Sequence, residues 1–134
     1  MAQLPRRIRH IVAVGGMVLA VTALTGAPAV SAKSGDIIRT GNCTRTTDWK
    51  LKLSPEDGRI QVEFQVDSNR NGQLWEIVLR DNGRLVSKAL RRTLAPSGSF
   101  EFRKVITNRA GRDKVTGSAR NRTTGETCSA VATF

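Results

Sequence analysis

The chain has 134 residues, enough for one domain at most, which excludes a two-domain enzyme. Its 22 Lys and Arg against 11 Asp and Glu give a formal charge of +11; without residues 1–32 the remaining 102 residues keep 19 basic and 11 acidic side chains, or +8. The single histidine, His10, lies in that first segment and tyrosine is absent, so the rest of the chain lacks the imidazole on which Ser-His-Asp, Cys-His and most zinc sites depend.

Residues 1–32 run in three parts: Arg6, Arg7 and Arg9, then an apolar stretch from Ile11 to Leu24, then the small-residue segment Ala27-Pro28-Ala29-Val30-Ser31-Ala32. That order is the pattern of a secretory signal peptide. The expected cut follows Ala32, with Ala29 as a second site. Read at its longest, about 22 residues, the apolar stretch also approaches the length of an uncleaved membrane anchor. No cysteine directly follows the stretch and no hydrophobic tail precedes Phe134. A secreted protein without a stable membrane anchor after cleavage is the expectation. Residues 33–42 are expected to be flexible, and residues 43–134 to form the domain.

The two cysteines, Cys43 and Cys128, stand near the two ends of that domain. In an oxidising compartment they are expected to pair. A metal pair or a reactive thiol is the alternative, but neither cysteine lies in a C-x-x-C motif. By the chain-entropy treatment, closing a loop of this length adds roughly 4–5 kcal/mol.

From Trp49 onward apolar and polar residues alternate, and the gaps are filled by Gly, Asn, Asp, Ser and Pro, which is the signal of strands joined by turns. A weak strand is placed around residues 36–40. Trp49, Leu51 and Leu53 share a face of the next, and Ile60, Val62, Phe64 and Val66 share a face of the one after the turn Ser54-Pro55-Glu56-Asp57-Gly58. Pairing Leu53 with Ile60 would set Trp49 beside Phe64 inside and Lys50 beside Glu63 outside. Asn82-Gly83 supplies the two positive-φ residues of a type I′ hairpin, with Leu79 expected opposite Val86 and Trp75 opposite Leu90. That register turns Lys88 inward, as on a protected edge strand. Phe100 and Phe102 mark another strand, and Asn108 to Arg112 a turn. In the last hairpin Asn121 is expected to face Glu126, Ala119 Cys128, Gly117 Ala130 and Val115 Ala132. These small residues would leave room for Trp49 or Trp75 from an opposite sheet.

Trp75-Glu76-Ile77-Val78-Leu79 with Asn82-Gly83, and Ala119-Arg120-Asn121 leading through Thr124-Gly125-Glu126 to Cys128, resemble an immunoglobulin or fibronectin type III-like sandwich. Asp48-Trp49-Lys50-Leu51, Gln73-Leu74-Trp75 and Ser97-Gly98-Ser99-Phe100 resemble small secreted proteins of actinobacteria that carry no assigned activity. The resemblance spans roughly residues 40–134 and implies fold and export, not a reaction. The fold expected is thus all-β, a seven- or eight-stranded antiparallel sandwich of this type with one disulfide. Its bridge departs from antibody domains, because Cys128 belongs to the last strand.

Asp67-Ser68-Asn69-Arg70-Asn71-Gly72 has the spacing of a calcium loop, but Arg70 opposes a cation and Val78 stands where the closing glutamate would be. An Asn/Gly turn between strands explains it. No catalytic group, cofactor or metal is expected. The basic excess attracts anionic polymers, and Arg91, Arg92, Arg109, Arg112, Arg120 and Arg122 are the candidate contacts. Whether they form one patch is open at this stage. The aromatics fall on core faces rather than among the cations, which argues against specific nucleic-acid binding. The leading expectation is a non-enzymatic extracellular module for an anionic cell-wall polymer or a protein partner. The alternatives are a protease inhibitor presenting Leu94-Ala95-Pro96-Ser97 and a structural surface protein. The oligomeric state is left open.

Overall fold

A computed structural model describes residues 34–134. Residues 1–32, read from the sequence as a signal peptide, and the expected cut lie outside the described residues. Eight strands follow in order: β1 Ile37–Asn42, β2 Asp48–Glu56, β3 Arg59–Asp67, β4 Leu74–Asp81, β5 Arg84–Arg92, β6 Ser99–Thr107, β7 Lys114–Asn121 and β8 Thr127–Thr133. All pairs are antiparallel, and they form two four-stranded sheets ordered β1-β2-β3-β6 and β5-β4-β7-β8.

Alternation builds the core. Leu51, Leu53, Ile60, Val62, Phe64 and Val66 from one sheet meet Trp75, Ile77, Leu79, Val115, Ala119 and Ala130 from the other, all at most 2% exposed. Each large apolar side chain so buried contributes about 1.5–3 kcal/mol. Gly117 packs against the Phe64 ring: a Cβ there would sit 3.2 Å from it, so the ring would have to give way by a few tenths of an ångström. The space over Gly117 is therefore taken by Phe64 of the opposite sheet, while Trp75, on β4, lies in the same sheet as the last hairpin. Trp49 instead covers Gly41 and donates its Nε1–H to the Asn42 carbonyl at 3.2 Å.

The last hairpin pairs as its sequence predicts, with Ala119 facing Cys128, Gly117 facing Ala130 and Val115 facing Ala132. The first hairpin keeps its expected faces but shifts by two residues. Leu53 faces Val62, Leu51 faces Phe64 and Lys52 faces Glu63, because Asp57 (φ 47°) and Gly58 (φ 74°) alone make the turn and Ser54-Pro55-Glu56 are drawn into β2. Pro55 is tolerated there since β1 reaches only to Leu53, which leaves that end of β2 an edge.

The Asn82-Gly83 turn has φ of 47° and 80°, as a type I′ hairpin requires. Beyond it a β-bulge between Leu79 and Arg80 slips the register by one. Leu79 faces Ser87 and Trp75 faces Arg91. A one-residue slip exchanges the faces of a strand. Lys88 therefore points outward, contrary to the sequence expectation, and Leu90 is 53% exposed. The weak strand expected around residues 36–40 is β1, paired with β2 along its whole length. Cys43 follows directly and bonds to Cys128 on β8, with 4.2 Å between their Cα atoms. The disulfide thus closes one side of the sandwich. On the other side, where β5 and β6 are the edges, the Arg91 guanidinium lies 4.9 Å from the centre of the Phe102 ring.

Candidate functional site

The outward-facing side chains of the two sheets differ in charge. On the β1-β2-β3-β6 sheet, Lys50, Lys52, Arg59 and Arg103 are balanced by Asp48, Glu56, Glu63, Asp67 and Glu101, by strand alternation and register. Arg103 bonds to Glu63 at 3.1 Å and to Glu101 at 2.8 Å. On the β5-β4-β7-β8 sheet the inward residues of β4 are Trp75, Ile77 and Leu79. The intervening positions, with their cross-strand partners, put Arg80, Lys88, Arg92, Lys114 and Arg120 on the outer face, and Arg122 continues it past β7. All six are exposed. Glu76 is the single acid among them, lying between Leu90 and Arg120 in register. It accepts Arg122 Nη1 at 3.0 Å and stands 3.7 Å from Lys88 Nζ. The Arg120 side chain has no hydrogen bond or ion pair with another described residue.

Of the six arginines singled out in the sequence, Arg92, Arg120 and Arg122 share this face. The other three do not. Arg91 is turned toward the edge between the sheets by the bulge. Arg109 and Arg112 lie at the opposite end of the sandwich, beside the Asn82-Gly83 turn, where Asn82 Nδ2 donates to the Arg112 carbonyl at 3.0 Å. Arg80, Lys88 and Lys114 were missed. Only the bulge puts Lys88 on the face.

The end with Arg109 holds two buried acids, Asp81 and Asp113, 2% and 0% exposed. Arg109 donates its Nε–H to Asp81 Oδ2 at 3.3 Å and its backbone N–H to Asp113 Oδ2 at 3.0 Å. Burial, and then the neighbouring Asp113 carboxylate, push the Asp81 carboxyl above its ordinary range, while the Arg109 hydrogen bond pulls it down. This pair shapes the loop joining β6 to β7.

At the other end, the loops 43–47, 68–73 and 122–126 surround a polar cleft of about 190 Å³ lined by Arg45, Thr46, Thr47, Ser68, Arg70, Gln73, Thr124 and Glu126. Glu126 organises it. Its Oε1 accepts the N–H groups of Arg45 and Thr47 at 3.2 and 3.0 Å, and its Oε2 the Thr47 hydroxyl at 2.9 Å. Asn121 Oδ1 accepts the N–H groups of Thr123 and Thr124 at 2.9 and 3.0 Å, which shapes the turn that carries Thr124. Asp67 Oδ1 accepts the Asn69 N–H at 3.1 Å, an Asx turn of the kind expected of an Asn/Gly connection. Thr93 secures the same loop: its hydroxyl donates to the Arg70 carbonyl and accepts the Gln73 N–H. Thr47 and Thr93 did not stand out in the sequence and Glu126 did so only as a hairpin residue, since their partners lie up to 81 residues away.

The segment Leu94 to Ser97 is closed on itself. The Gly98 N–H donates to the Leu94 carbonyl at 2.8 Å and the Leu94 N–H to the Ser99 carbonyl at 2.9 Å. An inhibitor loop that pairs with a protease cleft needs extended backbone with those groups free. No protein-family model matches the chain, and no curated protein matches it either.

Proposed function

We propose that this protein is an exported, non-enzymatic binding module and that the outer face of its β5-β4-β7-β8 sheet holds an anionic polymer, with a cell-wall polymer as the expected partner. The carrying observation is the segregation of charge: six exposed cations around one acid on this face, against four cations and five acids on the other. A merely soluble basic protein has no need to sort its charges by sheet. Rows of cations on adjacent strands, about 4.8 Å apart, present donors along a surface that a flexible polyanion can follow. The disulfide suits an oxidising compartment, which supports export. Strand order supports the immunoglobulin or fibronectin type III-like reading. With β1 set aside, β2-β3-β6 and β5-β4-β7-β8 follow the A-B-E and C′-C-F-G orders of such sandwiches.

Linear polyphosphate, titrated at two salt concentrations, tests the reading. If six cations engage, affinity should fall on the order of 10³-fold between about 50 and 200 mM salt. Arg92→Glu with Arg120→Glu should weaken binding tenfold or more. Lys50→Glu with Arg59→Glu changes net charge equally on the other face and should weaken it less than twofold. Equal losses from the two pairs would reduce the effect to net charge and remove the face from the account.

A further inference from the structure

The cleft at the loop end adjoins the Arg92 and Arg122 end of the β5-β4-β7-β8 face, where Arg92 Nη1 donates to the Gly72 carbonyl at 3.1 Å, but has a different chemistry. Two arginines are among its lining residues, Arg45 from the loop after β1 and Arg70 from the loop after β3. Both residues are exposed, and neither side chain has a hydrogen bond or ion pair with another described residue. Glu126, the acid among the residues lining the cleft, keeps its charge but makes no ion pair with either guanidinium, so the pair of arginines leaves the lining with a net positive charge. Both of its oxygens are occupied by loop donors, from Arg45 N and from Thr47 N and Oγ1. Beneath the rim, Gln73 Oε1 is buried and accepts no hydrogen bond. A buried acceptor left without a donor is costly. The backbone around it is fully committed: Gln73 donates its N–H to the Thr93 hydroxyl and accepts the Thr93 N–H at its carbonyl. Arginine donors without partners, an acceptor without a donor and the hydroxyls of Thr46 and Thr124 in one cleft match a small molecule that carries an anionic group and a neighbouring hydroxyl. The volume of about 190 Å³ is below the ~300–1,000 Å³ of sites for drug-sized ligands, so it accommodates one sugar-sized ring and not a folded polymer.

We propose that this cleft binds an acidic monosaccharide, with Arg45 and Arg70 taking its carboxylate or phosphate and the Gln73 amide taking an adjacent hydroxyl. Guanidinium suits this role because its planar fork meets both oxygens of such an anion. The loops are held in place before any ligand arrives, by the Cys43–Cys128 bond, by Glu126 and by Thr93, so little ordering cost falls on binding. The proposal does not rest on the polymer-binding face and survives if that reading fails.

Chemical-shift titration of the oxidised protein with glucuronate, glucose 6-phosphate, glucose and acetate tests it. Glucuronate or glucose 6-phosphate should saturate and move the amide signals of Arg45, Thr46, Arg70, Gln73 and Thr124. Which of the two is tighter distinguishes a carboxylate from a phosphate. Glucose and acetate, each lacking half of the pattern, should bind at least tenfold more weakly. Arg45→Met with Arg70→Met, both at exposed positions that leave the fold intact, should weaken the acid sugar tenfold or more. Lys88→Glu with Lys114→Glu, neither of which contacts the cleft loops, should leave it within twofold. Glucose binding as well as glucuronate, loss of affinity below tenfold in the Arg45/Arg70 variant, or no saturation by either acid sugar up to about 10 mM would each overturn the proposal.

Discussion

Replacing Gly98 by Ala probes the contact that holds the loop after β5 against the loop after β3. Gly98 has a φ of +71°, and a Cβ built on it would lie 2.2 Å from Arg70 N and 2.6 Å from Asn69 C. Both neighbours are backbone and cannot swing aside. The left-handed conformation costs an alanine about 1–2 kcal/mol. Relieving the overlap moves residues 69–70 away from Gly98, which stretches the bonds from Ser68 N and Ser68 Oγ to the Gly98 carbonyl, now 3.0 and 3.1 Å. Each such bond is worth about 1 kcal/mol net, so the whole loss comes to roughly 3–4 kcal/mol, against a typical total of about 5–15 kcal/mol. Gly58 is the matched control. Its φ is +74° and nothing lies within 4 Å of its Cβ position, so Gly58→Ala carries the conformational cost alone, about 1–2 kcal/mol. Equilibrium urea unfolding of the oxidised protein and both variants reads the difference directly. If the two alanine variants lie within about 0.5 kcal/mol of each other, the claimed backbone contact, and with it the fixed position of Arg70 and Gln73, is wrong.

Two further outcomes follow from other parts of the structure. Replacing Cys43 and Cys128 together by Ser releases residues separated by 85 positions and should lower stability by roughly 4–5 kcal/mol on the chain-entropy account; a loss below about 1 kcal/mol in urea unfolding would show that the closed side of the sandwich holds without the bridge. At Asp81 the folded carboxyl binds its proton more tightly than the unfolded one, whose ordinary value is 3.8. The stability this adds is fully present below 3.8 and is lost as pH rises through the raised folded value. Asp81→Asn removes the titration, so its stability relative to the parent should increase with pH from about 3.5 upward. A parallel pair of stability–pH curves would contradict the assignment of that shift to Asp81.

Local patterns were readable wherever their causes were local. The inward faces of β2, β3 and β4 follow from period-2 alternation, and the last hairpin was legible to the residue because Asn121 and Glu126 bracket a short turn between small, evenly spaced residues. Registers that depend on a turn's backbone were less so. The span Ser54 to Gly58 reads as a five-residue loop, yet Asp57 accepts a positive φ and shortens the turn to two residues. The bulge at Leu79/Arg80 leaves no mark in composition, and it decided whether Lys88, Leu90 and Arg91 face solvent or core.

The candidate sites divide in the same way. Charge, export pattern and the lone pair of cysteines are properties of the chain as written, and so is the absence of histidine after residue 10. They set the chemistry available, because counting groups needs no geometry. Which cations stand together needed β4 to lie between β5 and β7, a pairing that joins residues about forty positions apart, as in Glu76 with Arg120. The cleft likewise exists only because packing two sheets brings loops from residues 45, 70 and 124 to one end, where Glu126 and Thr93 fix them. Alternation and turn chemistry act over a few residues and are carried by neighbours in sequence. Sheet order, bulge position and loop convergence are settled by burial of the whole core at once, and so belong to the folded molecule alone.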